Sequence, residues 1–258
     1  MSDKTKIFGI GVSGLVGSRI IEILQDKYEI DNLSLDTGVD ITNPSSLDTI
    51  SRDKDHGIVL LLAAKADVDG CEKDKDLGTA GAAYKINVDG AQNVVNACRN
   101  VGKKIIYVST DFVFDGENTP PGGYTENDVP RPLNWYSKTK HEAEELVKNS
   151  GLPFVIMRLA YPYQKNDFAF CIDALIKNNA SGIFHTVGSQ SLTPYEAAVL
   201  IAQNFGLNQS LITKTTRAEY FKDRAVRPFN LSMNNDKIKQ LGVHMRTFEE
   251  GLKEIFKS

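Results

Sequence analysis

Two side chains four residues apart, Tyr136 and Lys140, form a pair that could move a proton. They lie in a segment of helical character, and on a helix positions i and i+4 share one face. A tyrosine titrates at about 10, so it exchanges protons poorly near neutrality unless a neighbouring cation stabilises its phenolate. Lys140 is placed to be that cation. The hydroxyl of Thr110, at the end of a predicted strand, could then hold a carbonyl oxygen while Tyr136 transfers the proton.

A Tyr and a Lys at this spacing also occur on ordinary amphipathic helix surfaces, so the elements around the pair decide its meaning. Near the N-terminus, residues 6–10 read as a buried strand, and Val16 and Ile20 begin a helical repeat. The turn between them carries glycines at positions 11, 14 and 17. Alone it could be a flexible loop, but between a strand and a helix it favours a dinucleotide fold. The predicted cofactor contacts in this turn are Gly11, Ser13, Gly14, Leu15, Val16 and Gly17.

An acidic residue follows the glycine motif at the distance expected for a ribose contact. The second strand is predicted as residues 32–35, ending at Asp36, about 20 positions beyond the motif. A carboxylate there accepts hydrogen bonds from ribose hydroxyls and repels a 2′-phosphate. The sequence therefore favours NADH weakly over NADPH, and the alternative is that Asp36 is only a turn residue before Gly38.

Further apolar runs alternate with helical segments along the chain. Residues 56–64 read as a strand buried on both faces, residues 84–101 as a long helix, and residues 104–108 and 154–159 as two further strands. Repeated strand and helix units predict an α/β fold: a Rossmann-type doubly wound parallel sheet with a small C-terminal substrate lobe. We place the dinucleotide-binding domain at residues 1–162 and the substrate lobe, which partly returns to the sheet, at residues 163–258.

Composition narrows the classes of function. A net charge of −3 gives no electrostatic reason to expect nucleic acid or an anionic membrane. Three scattered cysteines suggest reduced thiols, no apolar run approaches the length of a membrane span, and the N-terminus shows no secretory leader. The four histidines show no metal-ligand spacing. We therefore expect a cytoplasmic protein without a metal.

The stretch from Ser109 to Lys140 also carries a family resemblance. The Tyr136-x-x-x-Lys140 pair with Ser109, Thr110 and Asp111 upstream resembles the extended short-chain dehydrogenases/reductases. The motif Ser-Thr-Asp-Phe-Val-Phe-Asp-Gly is most similar to that of the dTDP-4-dehydrorhamnose reductase family. The resemblance implies NADH- or NADPH-dependent reduction of a keto group on a nucleotide-activated sugar, in a possible homodimer. It assigns catalysis to Thr110, Tyr136 and Lys140, the last two also touching the cofactor.

The same resemblance implies roles for residues outside that stretch. It places Asp40 and Ile41 beside the adenine, the backbone of Ala63, Ala64 and Lys65 along the cofactor, and Asp111, Tyr161 and Arg227 at the substrate. Each has a plainer alternative. Asp40 could serve the turn before the helix at Pro44, Tyr161 could be a packed aromatic residue at a strand end, and Arg227 could anchor the lobe.

Two other functions stay open at this point. A nucleotide-sugar epimerase or dehydratase shares the fold and the Tyr/Lys pair, and differs only in the wording after Ser109. A non-catalytic regulatory subunit resembling the methionine adenosyltransferase β subunit would keep the fold as a binding module. The intact Thr110, Tyr136 and Lys140 set argues mildly against the second.

One junction departs from the family pattern. Reductases of this kind follow the strand that ends at residues 160–163 with a helix, a strand and a Pro-Thr segment, and only then a second helix. Here residues 167–170 resemble the start of the first helix, and residues 171–176 resemble the end of the second. We expect that a mobile segment of a few dozen residues has been left out of the sequence at this point. A genuine deletion, which would give one continuous helix, is the alternative.

Overall fold

The strands of this chain form one parallel sheet, because each apolar run is followed by a helix that returns the chain to the same end of the sheet. The structure, a computed structural model, describes residues 4–160 and 165–255. The order across the sheet is β2-β1-β3-β4-β5-β6. The strands are β1 (Thr5–Ile10), β2 (Tyr28–Leu33), β3 (Ile58–Leu61), β4 (Lys104–Thr110), β5 (Phe154–Leu159) and β6 (Gly182–His185).

Helices cover both faces of this sheet and divide the core in two. They are α1 (Leu15–Leu24), α2 (Asp48–Arg52), α3 (Val68–Lys73), α4 (Ala82–Tyr84), α5 (Gly90–Arg99), α6 (Trp135–Lys148), α7 (Lys165–Lys177), α8 (Pro194–Asn204), α9 (Arg217–Tyr220), α10 (Asp236–Lys239) and α11 (Phe248–Ile255). Apolar side chains of α1 and α7 pack on one face, and those of α5 and α6 on the other. The prediction of a doubly wound parallel sheet is confirmed. Among the described helices, none has the length and apolar character to cross a bilayer.

Strand β2 ends two residues earlier than predicted. Ser34 begins a 3₁₀ turn over Leu35–Thr37, in which the side chains of Ser34 and Thr37 each bond the other's backbone, and Gly38 closes it with φ 85°. These local bonds satisfy backbone groups that a strand would otherwise use. Asp36 therefore stands in an exposed turn beyond the strand end.

Two other predicted elements also differ in detail. Strand β3 covers only the centre of the run from 56 to 64, because Leu62 and Ala63 both donate their backbone N–H to the carbonyl of Ile10 and turn toward the end of β1. The helix predicted at 84–101 exists, but it contains a π-helical stretch, Lys85–Asp89, between α4 and α5. Such a stretch is frequent at functional sites.

Helix α6 is held at its start by a reciprocal cap. The Asn134 side chain accepts a hydrogen bond from the Ser137 N–H, and the Ser137 hydroxyl approaches the Asn134 N–H. The Asn134 amide also donates to the carbonyl of Val226, 2.9 Å away, and so ties the helix to the C-terminal segment. A capped N-terminus fixes the first turn, in which Tyr136 lies.

A buried ion pair holds the middle of the same helix against the sheet. Arg158 of β5 and Glu144 of α6 are 2% and 1% exposed, and the guanidinium reaches both carboxylate oxygens, with the shortest contact at 2.7 Å. Burial alone would raise the pKa of Glu144, but the His141 ring, 3.8 Å away, and the hydrogen bonds and charge of Arg158 lower this pKa to about 2. The pair thus fixes the distance between α6 and β5.

Residues 165–177 form one continuous helix, α7, which spans the junction at 167–173. The omitted segment expected there stays a prediction. Phe168, Ile172 and Leu175 lie on a single buried stripe that crosses the junction and packs against α1. The i, i+4, i+7 spacing explains why two family fragments fuse into one stable helix. The proposed boundary at residue 162 stays a prediction.

Removing one member of the Glu144–Arg158 pair should strongly destabilise the fold. For Glu144→Ala we expect the free energy of unfolding to fall by about 3–5 kcal/mol, because the arginine is left buried and unpaired. Urea titration at pH 7 measures the loss. Glu145→Ala is the matched control: it removes a half-exposed carboxylate from the next position and should cost less than about 1 kcal/mol.

The pair Glu144→Leu with Arg158→Met separates charge from packing. With both charges gone, stability should return to within about 1–2 kcal/mol of the natural protein. Because folding lowers the Glu144 pKa from its usual 4.5 to about 2, its contribution is present above pH 4.5 and is lost as pH falls toward 2. A double variant as unstable as the single one would show that the ion pair is not what fixes α6.

Candidate active site

The glycine turn joins β1 to α1, and two of its glycines are required by packing. Gly11 has φ 77°, and a Cβ there would lie 2.6 Å from the backbone nitrogen of Ala63. A Cβ on Gly17 would lie 2.3 Å from the Cα of Val12. Gly14 meets nothing closer than 3.5 Å. The first and last glycines therefore bring the turn against its neighbours, and the middle one leaves room above the helix.

The start of α1 suits a phosphate group. Gly14 occupies the cap position without any side-chain hydrogen bond to the helix N-terminus, and the first turn carries no acidic residue. The free N–H groups and the helix dipole favour an anion at this position. Ser13 and Leu15 are exposed around the opening, Leu15 by 75%, and Val16 is half-buried. These residues fit the pyrophosphate of a dinucleotide.

Ser34, rather than Asp36, is the residue of β2 that reaches the glycine turn. Its hydroxyl accepts a hydrogen bond of 3.5 Å from the backbone N–H of Ser13, and the side chain is buried. Asp36 lies two residues further along, exposed to solvent. The Asp36 carboxylate can approach a ribose only from the solvent-exposed side of the turn.

Asp40 and Ile41 are both engaged within the protein. The Asp40 carboxylate accepts hydrogen bonds from the N–H and hydroxyl of Thr42, at 2.9 and 2.8 Å. Ile41 is buried, packs on Gly90 of α5, and accepts a hydrogen bond from the amide of Asn93. Their side chains shape the turn that follows β2.

The segment after β3 is held in place by an asparagine. The side chain of Asn87, in the π-helical stretch, bonds both the N–H and the carbonyl of Lys65, at 2.8 and 3.2 Å. It also donates to the hydroxyl of Thr139 on α6 at 2.9 Å. Ala63, Ala64 and Lys65 are therefore positioned beside the glycine turn, on the same framework as α6.

Thr110, Asp111 and Tyr136 come together at the carboxyl end of β4. The Thr110 hydroxyl accepts the Phe112 N–H at 3.2 Å and donates to the Asp111 carboxylate at 3.0 Å. The Thr110 hydroxyl is also close enough to the phenol of Tyr136 to lower its pKa. The ring of Tyr136 packs edge-on against Phe112, with centroids 6.1 Å apart. This edge of a parallel sheet is where open α/β folds bind ligands.

The electrostatics of this cluster differ from the expectation that Lys140 depresses the Tyr136 pKa. Burial raises the pKa of Tyr136 well above 10, and the neighbouring Asp111 and Cys71 raise this pKa further, while only the Thr110 hydroxyl lowers it. Burial also raises the pKa of Asp111, to about 7. Both groups therefore hold their protons tightly.

Lys140 points at the sheet rather than at the phenol. Its ammonium donates to the carbonyl of Val108 at 2.8 Å and lies 4.2 Å from the ring centroid of Tyr107. Burial lowers the pKa of Lys140 to about 7, although the nearby Glu144 carboxylate opposes this shift. The i, i+4 spacing places the two side chains on one face of α6, yet their ends turn to different partners.

Arg227 is held by the protein itself. Its guanidinium lies 3.0 Å from the Asp69 carboxylate of α3, and Arg224 binds the same group at 2.6 Å. These bonds lower the pKa of Asp69 to about 2. Arg227 thus anchors the C-terminal segment. Tyr161, the other substrate candidate from this part of the chain, lies outside the described residues.

The sequence analysis did not identify Glu144 and Arg158, which hold the helix of Tyr136 against the sheet. Glu144 lies four positions after Lys140, and Arg158 is the one charge in the apolar strand Phe154–Leu159. A charge in a strand buried on both faces, such as Arg158, needs a partner of opposite charge. Glu144, which shares a face of α6 with Lys140, could have been identified as that partner. Among the described residues, no group of three or more His, Cys, Asp and Glu side chains could hold a metal.

Comparison with known proteins supports the geometry. The RmlD substrate binding domain family matches residues 5–179 and 162–258. A dTDP-4-dehydrorhamnose reductase of Aggregatibacter actinomycetemcomitans is 28% identical over 95% of this chain and 96% of its own length. The methionine adenosyltransferase 2 subunit beta of Pongo abelii is 28% identical over 84% of this chain and 74% of its own. A Bacillus anthracis dTDP-4-dehydrorhamnose reductase solved with NADP superposes with a TM-score of 0.85 at 27% identity, covering 99% of both chains.

The same comparisons locate the junction where the sequence lacks part of the family pattern. The two family matches overlap at residues 162–179, the segment that contains α7. The single helix α7 therefore aligns with two different parts of the family pattern. The alignment with the Aggregatibacter reductase runs over 290 positions, whereas 95% of this 258-residue chain is about 245 residues. At about 45 alignment positions, the relative therefore has a residue and this chain has none. The resemblance seen in the sequence is confirmed, and the chain belongs to the RmlD substrate binding domain family.

Proposed function

We propose that this protein is an NAD(P)H-dependent oxidoreductase of the extended short-chain dehydrogenase/reductase type that reduces the keto group of a nucleotide-activated sugar, such as a dTDP-4-keto-6-deoxyhexose. The observation that carries the proposal is the position of Thr110 and Asp111 at the carboxyl end of β4, with the ring of Tyr136 packed against the neighbouring Phe112. The reductases among its relatives align over nearly their whole length.

In this reaction a bound nicotinamide supplies the hydride, and the chain supplies position and a proton. Thr110 holds the carbonyl oxygen, and Tyr136 protonates it as negative charge develops. With its pKa above 10, Tyr136 enters the reaction protonated, as a general acid must. Lys140, fixed at the end of β4, is placed to bind the nicotinamide ribose.

We propose that a nicotinamide cofactor binds through the turn at residues 11–17 and the backbone of residues 63–65. We also propose that the chain distinguishes NADH from NADPH only weakly. Asp36 is the acidic group on the ribose side, and it favours NADH by repelling a 2′-phosphate. Because the carboxylate stands exposed in a 3₁₀ turn, water screens it and the preference is small.

A genuine deletion at the junction in α7 would keep a second function in view. It would remove part of the region that relatives place between β5 and β6, and a shortened substrate lobe suits a binding module like the methionine adenosyltransferase subunit that the chain resembles. A regulatory subunit would bind the cofactor without turnover. Oxidation of NADPH in the presence of a keto-sugar nucleotide separates the two functions.

Replacing the phenol of Tyr136 should damage chemistry and spare cofactor binding. For Tyr136→Phe we expect kcat to fall by about 10²–10⁴, as for the loss of a general acid, with the Kd of the reduced cofactor changed by less than about twofold. Steady-state kinetics and fluorescence titration measure the two quantities. Tyr84→Phe removes a phenol that bonds Glu142 and should leave both unchanged. Full activity of Tyr136→Phe would remove Tyr136 from the chemistry.

Removing the charge of Asp36 should improve NADPH binding alone. For Asp36→Asn we expect the Kd of NADPH to fall by at most about fivefold, because exposed charges interact by less than about 1 kcal/mol, and the Kd of NADH to stay constant. Asp26→Asn, an equal charge change at another exposed aspartate, is the control. If the natural protein already binds NADPH clearly more tightly than NADH, Asp36 serves only the turn.

A further inference from the structure

The first turn of α6 is held by a residue from another helix. The leading N–H groups of any helix have no carbonyl partner within that helix. In α6 the Asn134 side chain accepts the Ser137 N–H at 2.9 Å, as a cap. The Trp135 N–H donates instead to the carboxylate of Glu72, on α3, at 2.7 Å. Tyr136 lies between these two bonded positions, so its backbone is fixed from both sides.

Glu72 supplies the negative charge that the start of α6 lacks. The first turn of α6 carries no acidic residue of its own. The helix dipole attracts a carboxylate to this end, and a hydrogen bond to an ionised acceptor is about twice as strong as a neutral one. The side chain of Glu72 is 27% exposed, so the contact is largely shielded from water. The bond is therefore a strong link between α3 and α6.

Helix α3 gives this link a fixed base. Cys71, next to Glu72, is fully buried, and its thiol donates to the carbonyl of Lys65 at 3.4 Å. The backbone of Lys65 is bonded in turn by the side chain of Asn87. The position of Glu72 is thus set by the segment that follows β3, which is also the segment expected along the cofactor.

A second connection joins the same two helices through the C-terminal segment. Asp69, one turn before Glu72 on α3, accepts the Ala225 N–H at 3.0 Å. The carbonyl of the next residue, Val226, accepts the side-chain amide of Asn134 at 2.9 Å. The start of α6 is therefore tied to α3 directly by Glu72 and indirectly through residues 225–226.

We propose that Glu72 is a positioning residue for Tyr136. Its carboxylate fixes the first turn of α6 to α3 and so holds the phenol at the end of β4, where the Tyr136 ring packs edge-on against Phe112. Glu72 acts through the backbone of Trp135 and takes no part in proton transfer. This inference rests on the proposed function, in which Tyr136 is the acid.

The other anchor of α6 cannot replace this contact. The Glu144–Arg158 pair lies two turns beyond Tyr136, and the end of a helix frays more readily than its middle. Without Glu72, a water molecule can accept the Trp135 N–H, but it has no fixed place relative to α3. A misplacement of about 1 Å is enough to lower a rate by about 10².

The first test compares kcat for keto-sugar reduction in three variants of one residue. Glu72→Gln keeps an oxygen acceptor at the same reach without the charge, Glu72→Asp keeps the charge but withdraws it by one methylene, and Glu72→Ala removes both. We expect kcat to fall by about 10–100-fold in Glu72→Ala, by less than about fivefold in Glu72→Gln, and in Glu72→Asp by more than in Glu72→Gln. Asp76→Ala, which removes an exposed carboxylate from the same region, should keep the natural kcat.

The KM of the sugar and the Kd of NADPH should change by less than about twofold in all of these variants, because a displaced acid weakens the transition state alone. The order of the variants decides between position and charge. A Glu72→Gln protein slower than Glu72→Asp would mean that charge at the helix end is what matters, and would overturn the proposal. This order holds the test even if Glu72→Ala does not fold.

The second test observes the phenol without activity. The ring protons of Tyr136 are followed by NMR in tyrosine-labelled protein, with Tyr136→Phe used to assign them and circular dichroism to confirm folding. Their shielding depends on the nearby Phe112 ring, so we expect these signals to move in Glu72→Ala and Glu72→Asp and to stay in place in Glu72→Gln and Asp76→Ala. Unmoved signals in folded Glu72→Ala and Glu72→Asp would overturn the positioning role.

The two proposals fail in different ways. Absence of any keto-sugar reduction by the natural protein would overturn the proposed function, and with it the task of Tyr136 that Glu72 serves. Reduction by the natural protein at a rate that Glu72→Ala retains within about twofold would overturn the positioning role alone.

Discussion

The ion pair between Glu144 and Arg158 is the contact that holds the candidate site in shape. It joins the middle of α6 to β5 in an environment with almost no water, and α6 carries Lys140 one turn earlier and Tyr136 two turns earlier. A buried charge that lost its partner would draw in water or shift the helix. The position of the phenol relative to Thr110 therefore depends on a pair that touches neither substrate nor cofactor.

Burial then sets the chemistry of the groups above that pair. Tyr136 and Asp111 keep their protons, and Lys140 gives up its own more readily than an exposed lysine would, because each neutral form avoids the cost of burying a charge. A reductase needs a proton to give and a dry place to give it. The junction in α7 lies away from these groups, since α7 packs on α1 at the other face of the sheet.

Local sequence signals predicted the parts of the molecule that depend on local structure. The glycine turn at residues 11–17 and the parallel strands follow from spacing and residue type alone. The place of Asp36 did not follow, because a capping box between Ser34 and Thr37 competes with the strand. Nor did the Lys140 contact with Val108, since helical spacing fixes a shared face and says nothing of where a flexible side chain ends. The helical spacing of Phe168, Ile172 and Leu175 already indicates a continuous α7. The family pattern, in contrast, favoured the expectation of an omitted segment.

The central claim is net transfer of hydride to a sugar carbonyl, and an isotope experiment tests it most directly. The protein is incubated with reduced cofactor carrying deuterium at the nicotinamide C4 and with a dTDP-4-keto-6-deoxyhexose, and the products are analysed by mass spectrometry and NMR. The account predicts one deuterium at the former carbonyl carbon of the sugar for each cofactor oxidised. An epimerised or dehydrated sugar without net oxidation of the cofactor, or cofactor that stays bound and reduced beside unchanged substrate, would contradict it.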